Sequence, residues 1–313
     1  MSFTGIVKNE LSKLELERLE AISELSSLIK NNSTIDSKNI RISTENSSVA
    51  RHIFNLIKNL YSVYIKITVR KGYNYQKNYI YILEINDRID FIIEDLCLNK
   101  DIPDSYIIDD DILKRSYLRG VFLACGSIND PKKSRYHLEF IVDNYSYATF
   151  VSSLLNEYSL NSKVLKRDNR YMIYIKEAEK IGDFLRMCNA IQALLYFEDI
   201  RIYRDHKNMT NRLNNCEQAN VDKIIETAHS QVKDIELIES VEGLDLLDEK
   251  TRLVAIYRLK YKEASLSELS EIISLETSFS ITKSGLHHKF KKIKDLANKI
   301  RIKVNKWTHY LKD

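Results

Sequence analysis

The sequence predicts an α+β fold in which a duplicated α-β-β-α-β-β domain with pseudo-twofold symmetry precedes an all-α domain. Three observations predict it. First, "ENSSVARHIFNLIKNLYSV" (45–63) recurs as "DNYSYATFVSSLLNEYSL" (143–160), sharing Asn46/Asn144, Ser48/Ser146, Ala50/Ala148, Leu56/Leu154 and, after a one-residue slip, Tyr61/Tyr158. A period of about one hundred residues marks a duplicated domain and not a solenoid unit. Second, "RSYLRGVFLACGSINDP" (115–131) sets Gly120 and Ala124 one helical turn apart, which lets a second helix backbone approach closely. Third, the stretch from Thr277 to Lys312 carries ten basic residues against a single acid, Asp295. That asymmetry is expected of an appended nucleic-acid module.

Composition bounds the answer before any motif does. At 313 residues the chain has room for about two domains with real cores. The 29% charged and 44% hydrophobic fractions are those of a soluble globular protein, and no apolar run approaches the roughly 18 residues of a membrane span. The N-terminal "MSFTGIVKNELSKLELE" lacks the apolar core of a signal peptide, so a cytoplasmic protein without membrane contact is expected. Cys97, Cys125, Cys188 and Cys216 form no CxxC or Cys-His pair, which points away from a zinc site or a disulfide framework. Abundant Asn, Lys, Ile and Tyr suggest an AT-rich genome, so the net charge of +4 by itself says little about nucleic acid.

Taken in order, the first half opens with a leading helix, "ELSSLIKNNSTI" (24–35), ahead of the first repeat. Each repeat helix is flanked by β-like runs: "IRIST" before and "VYIKITVR" and "NYIYILEI" after the first, "YHLEFIV" before and "SKVLKR" and "RYMIYIKE" after the second. "YLRGVFLACGSI" (117–128) leads the second half as 24–35 leads the first, aligning Asn32 and Ser33 with Cys125 and Gly126. With a short extra strand after each leading helix, both halves read α-β-β-α-β-β and the two leading helices pair on the pseudo-twofold axis. Gly126 is expected to take a left-handed cap, with Pro131 barring continuation of the helix.

"RIYRDHKNMTNRLNNCEQAN" (201–220) interleaves Arg201, Arg204, Lys207 and Arg212 with asparagines. It reads either as a second nucleic-acid or partner surface or as domain-junction packing with Asn caps. Val221, Ile224, Ile225, Ala228, Val232 and Ile235 then recur at helical spacing up to a stop at Gly243. The expected domains are therefore 1–217 (repeats of about 1–100 and 110–217), a helical linker 218–243, and 244–313. In the last, Ser265 and Glu268 form an S-x-x-E capping box, and Ser280 or Thr282 caps the next helix. Leu286, Phe290, Ile293 and Ala297 line one side of that helix, while Ser284, His287, His288, Lys291 and Lys292 occupy the opposite arc. Two such helices match a helix-turn-helix. Thr282, Lys283 and Ser284 suit phosphate or the first base edge; His287, His288 and Lys291 suit bases; Lys289, Lys292, Lys294 and Arg301 suit phosphates.

The duplicated half resembles the LAGLIDADG homing-endonuclease fold, in which paired helices form the seam and two curved sheets saddle DNA. In that family each helix ends in an acid whose carboxylate holds divalent metal; here those positions are Asn32 and Cys125. Amide and thiol are poor Mg²⁺ ligands, so the resemblance implies a degenerate, non-enzymatic domain with no metal or cofactor. In chain order "YLRGVFLACGSINDPKKSRYHLEF", "RIYRDHKNMTNRLNNCEQANVDK" and "SLSELSEIISLETSFSITKSGLHHKFKKI" are similar to the WhiA family of bacterial DNA-binding regulators. The resemblance implies a sequence-specific, nucleoid-associated transcription regulator linked to sporulation, cell division and chromosome segregation. Its partners would be double-stranded DNA and proteins of transcription or division, and it would be a monomer with internal pseudo-dimer symmetry. Two rivals stay open: a divergent endonuclease using Asp36 and Asp130, and a protein-interaction module with an accessory DNA-binding tail.

Overall fold

The computed structural model describes residues 2–36, 38–71, 79–133 and 135–310, with side chains through Val304. The basic Lys306 side chain and Lys312 lie outside what is described. The chain divides into two compact units, Met1–Asp205 and His206–Asp313. Among the described residues no helix is long and apolar enough to cross a membrane.

The first unit opens with α1 (Phe3–Leu11), capped by the Ser2 hydroxyl and burying Phe3, Val7 and Leu11 at i, i+4 and i+8. Then come α2 (Arg18–Asn32), β1 (Ser33–Ile35), β2 (Ile40–Thr44), α3 (Ser47–Tyr61), β3 (Ile65–Lys71), β4 (Tyr79–Ile85) and α4 (Ile89–Asp95). The same order returns as α5 (Asp111–Cys125), β5 (Gly126–Ile128), β6 (Leu138–Val142), α6 (Tyr145–Glu157), β7 (Lys163–Arg167), β8 (Arg170–Ile175) and α7 (Ala178–Met187). Each half builds a four-stranded antiparallel sheet, ordered β1-β2-β4-β3 and β5-β6-β8-β7. The duplication read from the sequence is therefore exact in topology, down to the short strand after each leading helix.

The repeated asparagines have one physical job in both halves. The Asn46 side chain accepts from the N–H groups of Ser48 and Val49, and that of Asn144 from Ser146 and Tyr147, capping α3 and α6. Beneath the sheets lies one core, with Ile40, Ile42, Leu83 and Ile85 inward from the first and Leu138, Phe140, Ile173 and Ile175 from the second. Helix α1 is tied to this core through the Thr4 hydroxyl, which donates to Ile128 O and accepts from Ile128 N, both at 2.9 Å.

Two expectations need correction. Gly126 is not left-handed: at φ −82°, ψ 147° it is extended and already starts β5. What excludes a side chain is space, since a Cβ there would sit 2.3 Å from Phe122 Cδ2 and 2.8 Å from Phe122 Cα. Second, 201–220 holds the boundary between the two compact units, at Asp205/His206, but does not cap a junction with asparagine. It is the interior of one helix, α8 (Ile191–Val241), whose first turn is capped by the Glu10 carboxylate accepting from Gln192 N and Ala193 N. No Pro or Gly occurs between 191 and 241, and each interior Asn costs at most about 0.7 kcal/mol, so nothing interrupts the helix. The expected stop at Gly243 is present, with φ at 79°.

In the second unit, the end of α8 packs with α9 (Glu249–Lys260), α10 (Leu266–Glu276) and α11 (Lys283–Tyr310). Ile235, Ile238, Val254, Ala255, Leu269, Ile273, Leu286, Phe290, Ile293, Ala297 and Ile300 form its core.

Candidate nucleic-acid interface

The seam of the first unit comes from small residues. Gly120 on α5 lies against Ser27 and Glu24 of α2 so closely that a Cβ would be 2.1 Å from Ser27 Oγ and 2.2 Å from Glu24 O. Ser27 Oγ donates across the seam to Tyr117 O at 2.7 Å, and Ser23 Oγ donates to Leu113 O at 2.8 Å. Inside it sits a buried charge network that the sequence reading missed: the Glu24 carboxylate accepts from Arg119 Nε and pairs with His52 Nε2 at 2.5 Å. Burial alone would push the Glu24 carboxyl up, but Arg119 and His52 outweigh it and hold it below the usual carboxylate range.

Asn32 and Cys125 do terminate α2 and α5. Beside the seam end, a cavity of about 410 Å³ is lined by Lys8, Asn32, Glu45 and Ala124, among others. Burial pulls the Lys8 ammonium down to about 8, with Cys125 nearby opposing the shift, and Lys8 Nζ stands 5.7 Å from the Phe122 ring centroid. Burial likewise pushes the Cys125 thiol up to about 12. The helix ends offer an amide and a protonated thiol beside an ammonium, and Glu45 is the one carboxylate lining the cavity; this set does not fit a divalent cation, which needs several hard anionic oxygens. The two nearby acids are used locally: Asp36 Oδ1 accepts from the N–H groups of Lys38 and Asn39, and Asp130 Oδ1 from that of Lys132. Among the described residues no three His, Cys, Asp or Glu side chains gather as a metal site.

The second unit presents a different chemistry. The predicted capping box starts α10: Ser265 Oγ accepts from Glu268 N, and Glu268 Oε2 accepts from Ser265 N at 2.8 Å. Ser270 Oγ donates to Ile281 O, fixing the turn, and Thr282 Oγ1 accepts from Gly285 N to cap α11. Leu286, Phe290, Ile293 and Ala297 then point inward as expected. The face left outward carries Thr282, Lys283, Ser284, His287, His288, Lys291, Lys292 and Lys294, all exposed.

Two expected contact residues have partners inside the protein. Lys289 is only 18% exposed and holds Asp248 at 3.1 Å, while Arg301 holds the buried Asp234 at 2.5 Å. Hydrogen bonds from Thr251, then Lys289, keep the Asp248 carboxyl down at about 2. Along α8, Arg201 pairs with Glu198 at 2.6 Å, and Arg204 donates to Pro131 O and Lys133 O while lying 4.5 Å from the Tyr136 centroid. Lys207 and Arg212 are exposed.

A duplicated seam-and-saddle domain whose helix ends lack carboxylates, followed by a two-helix reader capped as described, defines a degenerate LAGLIDADG-like protein with a helix-turn-helix domain. Comparison with known proteins agrees along the chain: the WhiA N-terminal LAGLIDADG-like domain matches residues 18–99, the WhiA LAGLIDADG-like domain 114–207, and the WhiA C-terminal HTH domain 210–297. The chain belongs to the WhiA family. It is 43% identical over 310 residues to "Probable cell division protein WhiA" of Staphylococcus aureus strain USA300, covering 96% of this chain and 98% of the relative. The protein of the same name from strain JH9 gives the same identity and coverage. The crystal structure of full-length WhiA from Thermatoga maritima is 28% identical, with a TM-score of 0.59 over 96% of this chain and 99% of that one.

Proposed function

We propose that this protein is a sequence-specific DNA-binding regulator of transcription acting in cell division, and that its duplicated domain is a non-catalytic scaffold. The observation that carries the reading is the outward arc of α11, where hydroxyl, imidazole and ammonium groups are exposed above a helix whose other side is locked into the core. Relatives named as cell division proteins support the setting, and sporulation and chromosome segregation enter as family associations. On this reading the protein acts on the nucleoid in the cytoplasm as a monomer. Ser284, His287, His288 and Lys291 read base edges from the major groove, whereas Lys292 and Lys294 contact phosphates. Lys289 and Arg301 serve the domain's own packing through Asp248 and Asp234.

The test is a titration of full-length protein with a duplex chosen from a genome-wide map of bound sites and with a random duplex, at several salt concentrations. Lys292→Ala should weaken both alike and reduce the slope of log K against log [salt] by about 0.9. His288→Ala should act on the preferred duplex alone, by about 1–3 kcal/mol for a lost base contact. An equal loss on both duplexes would remove His288 from base readout. Metal-dependent nicking of supercoiled plasmid that vanishes in Asp130→Ala would replace the scaffold reading with an endonuclease.

A further inference from the structure

A second cavity in the C-terminal unit, of about 280 Å³, is walled by Lys223, Thr227 and Ala228 of α8, by Arg258 of α9, by Ser265–Ser267 at the start of α10, and by Lys283 at the start of α11. Three of its lining residues are cationic and none is acidic. Arg258 is 1% exposed, its Nη1 donates only to Tyr261 O and Ala264 O, and its buried Nε has no acceptor at all. Among the described residues no carboxylate pairs with Arg258, Lys223 or Lys283. A guanidinium taken out of water without a counter-ion is costly, and folded proteins pair such groups.

The start of α10 adds to the same field. The capping box satisfies the N–H groups of Ser265 and Glu268, which leaves those of Leu266 and Ser267 as the open donors of the first turn. A helix N-terminus with free N–H groups, a buried planar guanidinium and two exposed ammoniums are together the recognition set for a tetrahedral oxyanion. The Glu268 carboxylate is turned back onto Ser265 N and does not line the cavity.

We propose that this cavity is a phosphate-binding site, with Arg258 and the α10 N-terminus as its fixed donors and Lys223 and Lys283 as its closing charges. The phosphate comes either from the DNA backbone, in which case the site rests on the reader role given to α11 above, or from a free phosphorylated ligand. On the first source the site clamps one backbone phosphate beside the start of the recognition helix and sets its register. On the second it couples a small anion to the same helix.

Two measurements on full-length protein decide between these sources. In the first, inorganic phosphate is added against chloride at matched ionic strength while the melting temperature is followed. In the second, the preferred duplex is scanned with single methylphosphonate replacements. The Lys223→Ala/Lys283→Ala variant changes only exposed residues and folds whatever Arg258→Met does; Arg258→Met keeps an apolar stem but removes the guanidinium, whose Cζ lies 5.3 Å from the Phe290 ring centroid. A DNA phosphate predicts one position where neutralisation weakens the parent several-fold but not the variants, and a salt slope about 0.9 smaller in the lysine variant per lost phosphate. A free anion predicts that phosphate raises the melting temperature of the parent more than of the variants, with no such DNA position. If neither difference is found, Arg258 merely caps the 261–264 turn and the proposal falls, even with specific DNA binding intact. If DNA binding is absent but the phosphate-dependent stabilisation persists and needs the lysines, the site stands and the reader role of α11 falls.

Discussion

Gly120→Ala should be among the most damaging single-methyl additions this fold can suffer. The new Cβ would lie 2.1 Å from Ser27 Oγ and 2.2 Å from the carbonyl oxygen of Glu24, and the second of these is backbone that cannot rotate away. Restoring an ordinary contact of about 3.5 Å requires α2 and α5 to separate by about 1 Å. Overpacking of this kind costs about 1–3 kcal/mol. The same separation stretches the buried Ser27 Oγ to Tyr117 O bond, and a buried donor or acceptor left unpaired costs about 1–3 kcal/mol more. A total of about 4 kcal/mol, at about 2–4 °C per kcal/mol for a unit of this size, lowers the melting temperature by about 10 °C. Gly182→Ala in α7 is the control: its Cβ meets the far end of a flexible side chain, Glu198 Oε1 at 2.6 Å, whose other oxygen holds Arg201, and makes ordinary contact with Leu194. Ala for Gly inside a helix gains about 0.5–1 kcal/mol, so that variant should melt level with the parent or above it. Scanning calorimetry of the two variants side by side makes the comparison. A Gly120→Ala protein melting within about 2 °C of the parent would refute the close-packed seam.

Three further outcomes follow from buried charge. Glu24→Gln alone leaves the Arg119 guanidinium uncompensated in the seam and should cost about 3–5 kcal/mol in urea denaturation, Arg119→Met leaves Glu24 with His52 and should cost less, and the double variant costs clearly less than the sum; additive energies would dissolve the pair. Because the Glu24 carboxyl is depressed when folded, its stabilisation is present above the ordinary carboxylate range and is lost as pH falls through the folded value, a loss that Glu24→Gln should not show. Lys8 gives a slope of the same sign from the opposite cause, an ammonium that burial destabilises. Its folded pKa of about 8 lies below the 10.5 of a free lysine, so the unfolded chain binds the extra proton between them and stability rises with pH across that window. Lys8→Met should raise the melting temperature at neutral pH and flatten that rise, and a parent profile already flat there would show that the ammonium is solvated.

Much of this was legible because duplication writes the same solution twice. Asn46 and Asn144 announced the caps of α3 and α6, and the alternating runs announced the strands, since both depend on neighbours a few residues away. Gly120 and Ala124 announced a close helical partner, and the repeat named it as the leading helix of the first half. What escaped the reading depends on distance in sequence. Lys289 and Arg301 look like free surface cations until Asp248 and Asp234, 41 and 67 residues away, are folded against them. Glu24, Arg119 and His52 look like separate surface positions on their helices until the seam gathers them. The closing helices α4 and α7 and the leading α1 were missed because each is short, although Phe3, Val7 and Leu11 in α1 and Ile181, Phe184 and Leu185 in α7 stand at helical spacing.

The seam end explains how such a domain can keep its architecture without a metal. Two carboxylates about 4 Å apart would repel by about 4 kcal/mol at the effective dielectric of a protein surface, so a seam that ends in paired acids leans on a bound cation for closure. Asn32 and Cys125 remove that repulsion at its source, the first because an amide is uncharged and the second because burial keeps its thiol protonated. The opposite charge now occupies the region in covalent form, as the ammonium of Lys8 on a helix that the sheet itself holds through Thr4 and Ile128. On the scaffold reading proposed above, a single substitution would not create a cation centre here. Asn32→Asp would place one carboxylate beside Lys8, which would pair with it and compete with any metal. Recovery of a cation centre would therefore need changes on α1, α2 and α5 together. On the function proposed above, the seam serves as a packing element and α10 and α11 carry the nucleic-acid chemistry of the chain.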